Sequence, residues 1–279
     1  MKKPYWAKVA ALLLAVVLSL GTLVGCSNEA ASSAESQDML ERVLADGKLV
    51  VTMNLGNEPW AYTDTDGAYN GMAVDLISGF AEQIGVEVEY SPLEFSSMIP
   101  AIQSDKADII CTNLTRKASR ATSVTFTEPV GGSYVVAVVR KDTLTSVEEI
   151  NSSDITLTTE SGTIHEDIAA ENFPEATMSA VNQNADAIAA LKAGRADVFL
   201  TDLTIAEAAC AADDSITIID TPVYVDTFAF AVKCSSTSYT FVEAFNTYLR
   251  LLKLDGTYGK LYEKHFGEAW EPIYTEIGL

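Results

Sequence analysis

Histidine and cysteine are scarce, and the spacings that would make them useful are missing. The 279-residue chain has two of the first and four of the second. No Cys-x-x-Cys, paired Cys/His or His-Glu-x-x-His pattern occurs, so neither a zinc site nor a metalloprotease is expected, and nothing calls for a cofactor. No Gly-x-Ser-x-Gly elbow is present either. The remaining histidine pattern, His165 beside Glu166, reads as a pair on a helix surface, and catalysis finds little support. Basic residues are also few: 18 Lys and Arg stand against 39 Asp and Glu, a net charge of −21. Such a surface repels phosphate backbones and anionic lipid, which excludes nucleic acid as an expected partner. Beyond the first 25 residues no run is long and apolar enough to span a bilayer.

The first 25 residues differ from the rest. Lys2, Lys3 and Lys8 precede the apolar stretch Val9–Leu18, and Leu23-Val24-Gly25 lead into Cys26. A basic head, a short apolar stretch and small residues before a cut make a secretory signal. A Cys at the cut resembles a bacterial lipobox, whose thiol carries acyl chains in the mature protein. Residues 1–25 are therefore expected to be a lipoprotein signal peptide, with Cys26 lipidated and the protein held outside the cytoplasm on the cell membrane. Removing them takes away three lysines and no acid, so the charge moves from −21 to −24. Residues 26–38 are small and polar and read as a flexible tether. Most of Cys111, Cys210 and Cys234 read as small buried hydrophobes, with room for one internal bridge at most.

From Met39 onward strands and helices alternate. Leu49–Met53, Val86–Tyr90, Ala107–Cys111, Val135–Val139, Ile155–Thr159 and Ala196–Leu200 read as strands. Val74, Ile77, Phe80, Ala81 and Ile84 fall at helical spacing, with Gly85 as the C-terminal cap. Phe95 to Ile102, the segment after Gly162, Ile188 to Leu191, and two closing segments around Phe245 and Tyr258 also read as helices. Alternation of this kind argues for a largely parallel sheet covered on both faces. An internal echo points to two related halves: Ala101–Thr115 and Ala190–Thr204 share six of fifteen residues. Each copy runs helix, turn, strand, then a polar residue past the strand, Asn113 in one and Asp202 in the other. The carboxyl ends of parallel strands are where open α/β sheets bind ligands.

From Gly47 to Gly267 the chain resembles the solute-binding proteins of ABC importers for polar amino acids. The matching segments include Gly47–Val51, Pro59-Trp60, Gly71–Leu76, Ala107–Ile110, Thr115–Arg120, Phe126–Pro129, Ser161–Thr163, Gly194–Asp197 and Asp255–Leu261. One departure is Ala73, where the family usually has an acid; an effect on stability is expected there more than one on the ligand. The resemblance implies a two-lobed α/β fold of the periplasmic-binding-protein type (type II), with two hinge crossovers and a ligand cleft between the lobes. Lobe 1 would take residues 39–131 plus 228–279, and lobe 2 residues 132–227. The implied partners are a free amino acid and the ABC permease subunits, with the protein itself a monomer.

By the same resemblance Arg120 takes the ligand carboxylate, for which a guanidinium fork is well matched. Asp202 takes the ammonium, Asn113 and Thr115 add polar contacts, and Gly162, Thr163 and Ile164 offer the N-terminus of a helix. The side-chain pocket would include Asn54, Asn57, Trp60, Phe95 and Glu160. Asn54 argues against a cationic ligand and Glu160 argues for one, so the amino acid stays open. Two competing readings are an enzyme similar to cyclohexadienyl dehydratases and a ligand sensor that does not transport.

Overall fold

The computed structural model describes residues 37–270. Cys26, the signal segment and most of the expected tether lie outside them. The elements in chain order are α1 (Met39–Asp46), β1 (Lys48–Thr52), β2 (Gly56–Asn57), β3 (Ala61–Thr63), β4 (Tyr69–Asn70), α2 (Met72–Ile84), β5 (Glu87–Tyr90), α3 (Phe95–Gln103) and β6 (Ile109–Ile110). The long strand β7 (Val124–Arg140) leads to β8 (Thr156–Glu160), α4 (Ile164–Asn172), β9 (Thr177–Val181), α5 (Asn184–Lys192), β10 (Val198–Asp202), α6 (Leu203–Ala212) and β11 (Ile216–Ile218). A second long strand, β12 (Tyr224–Lys233), returns the chain to α7 (Tyr239–Leu254) and α8 (Thr257–Phe266).

One sheet, ordered β5-β1-β6-β12-β7-β10-β8-β9 with β11 beside β7, organises these elements. β1 pairs in parallel with β5 and β6, and β8 pairs in parallel with β9 and β10. Between these two parallel wings β7 and β12 run antiparallel, with Gly131 opposite Phe228 and Gly132 opposite Thr227. Each wing is a sandwich with its own core. The first buries Leu49, Val51, Ile77, Phe80, Phe230 and Phe245 on one face, and Met98, Ile102 and Ile110 on the other. The second buries Leu157, Val198 and Leu200 on one face, and Val138, Leu191 and Phe199 on the other. None of the four clusters crosses from one wing to the other, so the molecule has two lobes joined by two strands.

Helical spacing places the core as expected. α2 turns Met72, Leu76, Ile77 and Phe80 inward, where the Phe80 ring meets that of Phe245 edge-on at 5.3 Å. Gly85 closes the helix in a left-handed conformation, φ 75°. Ala73 is fully buried in this core, away from the cleft. The echo has a structural counterpart. Asp108 accepts the Val50 amide at 2.8 Å and pairs with Arg42; Asp197 accepts the Thr156 amide at 3.0 Å and pairs with Arg140 at 2.9 Å. In both lobes the shared Asp therefore ties a neighbouring parallel strand to an arginine. Cys111, Cys210 and Cys234 are all free thiols.

The expected strand at Val135–Val139 is the second half of β7. Pro129 and the Gly131-Gly132 pair lie within this strand. The chain stays extended through them because register shifts at Phe228/Ala229 and Ala229/Ala231 open the ladder beside Pro129, which has no N–H to give. Gly131 also allows a close approach: a Cβ there would overlap the Trp60 ring, which is 1% exposed. Gly131→Ala is expected to destabilise the fold by about 1–3 kcal/mol, the usual cost of overpacking a rigid core. Denaturant midpoints of the variant and the parent protein measure it.

Candidate functional site

The parallel strands of both lobes end at the seam made by β7 and β12, so the residues just past them face each other. Asn113 follows β6 and Asp202 ends β10. Asn113 Nδ2 donates to Asp202 Oδ2 at 2.8 Å. The two polar residues singled out by the echo thus touch across a cleft of about 270 Å³, counting its open mouth.

Asp202 stands at the N-cap of α6 but makes no capping bond; its carboxylate turns into the cleft and is 3% exposed. His165 Nε2 lies 3.3 Å from its Oδ1. The expectation of a surface His165–Glu166 pair gives way here. The first turn of α4 points His165 inward at 4% exposure, while Glu166 curls back to accept the Gly162 amide at 3.2 Å. That N–H is therefore already engaged. Thr163, the N-cap of α4, donates its hydroxyl to the Glu160 carbonyl at 2.7 Å.

Arg120 reaches the cleft from the opposite lobe. Its Nη1 donates to the Thr115 carbonyl at 3.1 Å and its Nη2 to the Gly162 carbonyl at 2.8 Å, with the guanidinium 5.8 Å from the Phe95 ring centre. Both partners are neutral, and among the described residues no carboxylate forms an ion pair with Arg120. Burial pulls its pKa below the usual value, against the pull of Asp226 and Asp167. It stays cationic at neutral pH, as arginine does in proteins. Gly162 has φ 83°, and a Cβ on it would press on Ser96 of the other lobe.

A second network lines the floor. Asn54 Nδ2 donates to Glu160 Oε1 across the lobes. Asn184 Nδ2 donates to Asn57 Oδ1 at 2.7 Å and lies 3.4 Å from Glu160 Oε2. Asn57 Nδ2 in turn donates to Asn113 Oδ1 at 3.1 Å. Glu160 is 2% exposed, and burial lifts its carboxyl to about 7, with the Asn54 bond opposing the shift. Asp226 on β12 accepts the Thr115 hydroxyl at 2.6 Å and its own neighbour's amide, Thr227 N, at 2.6 Å. Burial and the nearby Asp202 push its carboxyl well above the ordinary range.

Of the residues expected from sequence, Asn57, Phe95, Asn113, Thr115 and Glu160 line the cleft, as do Thr163, Ile164 and Asp202. Asn54 stands behind Glu160, and Arg120 and Gly162 form the bridge between the lobes. Trp60 is elsewhere: it packs edge-on against Phe228 at 5.5 Å and Phe266 at 5.3 Å in the core of the first lobe. Sequence reasoning passed over Asn184 and Ile205 as cleft residues and saw in Asp226 only a crossover. An acid inside the apolar run Tyr224–Lys233 was the available signal for Asp226; Asn184 gives none, because Asn near a helix start is ordinary.

Polar and acidic side chains from two lobes lining one small cleft, with an arginine bridging the lobes beside it, define a binding protein for a small polar molecule. The chain belongs to the bacterial extracellular solute-binding proteins, family 3, whose profile matches residues 49–268. It is 24% identical over 200 residues to ABC transporter arginine-binding protein 1 of Escherichia coli, covering 70% of this chain and 81% of that one. It is 26% identical to the L-cystine-binding protein TcyA of Bacillus subtilis, over 94% of this chain and 98% of that one. Among solved structures, the ancestral amino acid-binding protein AncCDT-1, a precursor of cyclohexadienyl dehydratase, superposes with a TM-score of 0.76 at 31% identity. That match covers 81% of this chain and 99% of the other. Proteins of this family act outside the cytoplasm, and no helix among the described residues is long and apolar enough to cross a membrane.

The raised pKa of Glu160 has a direct consequence. The folded state holds the proton more tightly than the unfolded chain. The group's stabilising contribution is thus complete below its unfolded pKa near 4.5 and is lost as pH rises towards about 7. Glu160→Gln is expected to raise the stability of ligand-free protein at pH 8 by up to about 3 kcal/mol, with most of the gain gone by pH 5. Thermal unfolding at the two pH values checks it.

Proposed function

We propose that the cleft captures a free α-amino acid by its main chain, with Arg120 taking the carboxylate and Asp202 the ammonium. Asn113, Thr115, Gly162, Thr163 and Ile164 complete the main-chain site; Asn57, Phe95 and Glu160, with Asn54 behind them, meet the side chain. The observation that carries this reading is the meeting of Asn113 and Asp202 across the cleft at the ends of the parallel strands, with Arg120, which forms no ion pair among the described residues, bridging the lobes from Thr115 to Gly162. The arginine-binding and cystine-binding relatives support the choice of an amino acid. The protein is then the substrate-binding component of an ABC importer and delivers its ligand to the permease. Lobe 1 comprises residues 39–131 plus 228–279 and lobe 2 residues 132–227, hinged at β7 and β12, and ligand draws them together. The working form is a monomer whose role is capture rather than turnover.

Arg120→Ala is expected to weaken binding of every amino acid the protein takes, by about 2–5 kcal/mol, because it strands a desolvated carboxylate. Asp202→Asn should cost less, since an amide oxygen still accepts one hydrogen bond from the ammonium. Titration calorimetry with the free amino acid, its methyl ester and its N-acetyl derivative tests both; an Arg120→Ala affinity within about threefold of the parent removes the main-chain clamp.

Residues 1–25 act as a signal peptide, Cys26 carries the lipid, and residues 27–38 tether the binding domain to the membrane. The Leu-Val-Gly-Cys run behind a basic, apolar head supports this. Cys26→Ala is expected to shift the protein from the membrane fraction to the medium or to leave the precursor uncut, as read by fractionation and intact mass.

A further inference from the structure

Main-chain recognition leaves one wall of the cleft unused. Arg120 and Asp202 answer the two charges of the zwitterion and cancel. Asp226 is satisfied by Thr115 and Thr227 and does not line the cleft. Glu160 does line it. Its oxygens meet only two neutral amides, Asn54 on one side and Asn184, at 3.4 Å, on the other. Among the described residues it forms no ion pair. The charged and titratable groups around it are His165 on α4, Glu94 ahead of α3, and Asp202 at the end of β10; two of these three are acids.

Burying a carboxylate among neutral partners is costly unless a counter-charge arrives. A neutral ligand side chain brings no counter-charge to offset that cost. The carboxylate is also held in place. The Asn54 carbonyl accepts the Gly56 amide at 2.9 Å, and Asn184 is fixed through Asn57, so asparagines from both lobes aim Glu160 at the ligand space. We propose that Glu160 selects the ligand by its side chain, and that the side chain it selects is cationic, a guanidinium or a primary ammonium. This rests on the reading of the cleft as an amino-acid site. It also balances the site: ligand carboxylate with Arg120, ligand ammonium with Asp202, and side-chain cation with Glu160. Asn54, which as an acid would add a fourth negative charge beside Glu160, serves as its positioning donor instead.

The test is a binding panel on the purified protein by calorimetry, pairing each cationic ligand with a neutral counterpart: L-arginine with L-citrulline, L-lysine with L-norleucine, L-ornithine with L-glutamine. At least one cationic member should bind roughly tenfold or more tightly than its counterpart. In the parent protein that ratio should rise from pH 6 to pH 8, as Glu160 ionises and the ligand cation does not titrate. Any effect of Asp226 falls on both members of a pair and drops out of the ratio. In Glu160→Gln the ratio should fall towards one. Neutral ligands binding as tightly as cationic ones, or a ratio that survives Glu160→Gln, would overturn the assignment of the side-chain site while leaving the main-chain clamp standing, provided binding still depends on Arg120. Failure of every member of the panel to bind would remove the clamp and this inference together.

Discussion

The antiparallel pairing of β7 with β12 sets the geometry on which the cleft depends. Only these two strands join the apolar sandwiches, and each sandwich is closed on both faces by its own helices. The parallel strands of both lobes must therefore end at the same seam. Parallel strands leave polar groups unpaired at their carboxyl ends, and here two such ends confront each other. Asn113 and Asp202 meet because β6 and β10 are placed alike on either side of the seam, and Arg120 meets Gly162 for the same reason. The shifts in ladder register fall inside the β7–β12 pair, beside Pro129, whose missing N–H they accommodate.

Burial gives the cleft its electrostatic character. Glu160, Asp202 and Asp226 are each at most 3% exposed, and the chain places no lysine among them. A fold selected for stability alone would not bury three acids in and beside one cleft. The arrangement weakens the ligand-free protein as pH rises and stores interaction strength that a ligand's positive groups release. The acidic exterior draws cations towards the protein in general; the buried acids decide which of them stay.

Much of this was legible in the sequence, and the reasons are local. Helical spacing marked α2 and α3 because their apolar faces follow a 3.6-residue period. The repeated Ala-Asp pair marked β6 and β10 because the Asp is needed at the same place in both lobes. Arg120 and Asp202 were legible through family resemblance, not through spacing. What the sequence hid depends on distance along the chain. Asn184 acts through Asn57 and Glu160, which lie 127 and 24 residues away. Trp60 looked like a ligand platform, and only the Phe228 and Phe266 rings, brought from the far end of the chain, show that it packs the core. Only Val135–Val139 of β7 was legible, because Pro129, Gly131 and Gly132 interrupt its apolar pattern and only the register shifts against β12 show how they are accommodated.

The cross-cleft bonds also explain how such a site can hold a ligand and still let it go. Asp202 takes one hydrogen from the Asn113 amide, and Arg120 gives its hydrogens to two backbone carbonyls. All of these partners are neutral. In the proposed clamp an α-amino acid would replace them with an ammonium and a carboxylate, and charge-assisted bonds are roughly twice as strong as neutral ones. The Asn113 oxygen keeps its bonds to Asn57 and Thr112 throughout, so only its amino group has to find a new partner. Affinity is then the difference between charged and neutral bonding, not the full worth of the charged contacts. With the lobes closed, both charged groups keep hydrogen-bond partners whether or not a ligand is present. A carrier that must give up its ligand at a membrane gains from that exchange, because release restores bonds the protein already knows how to make.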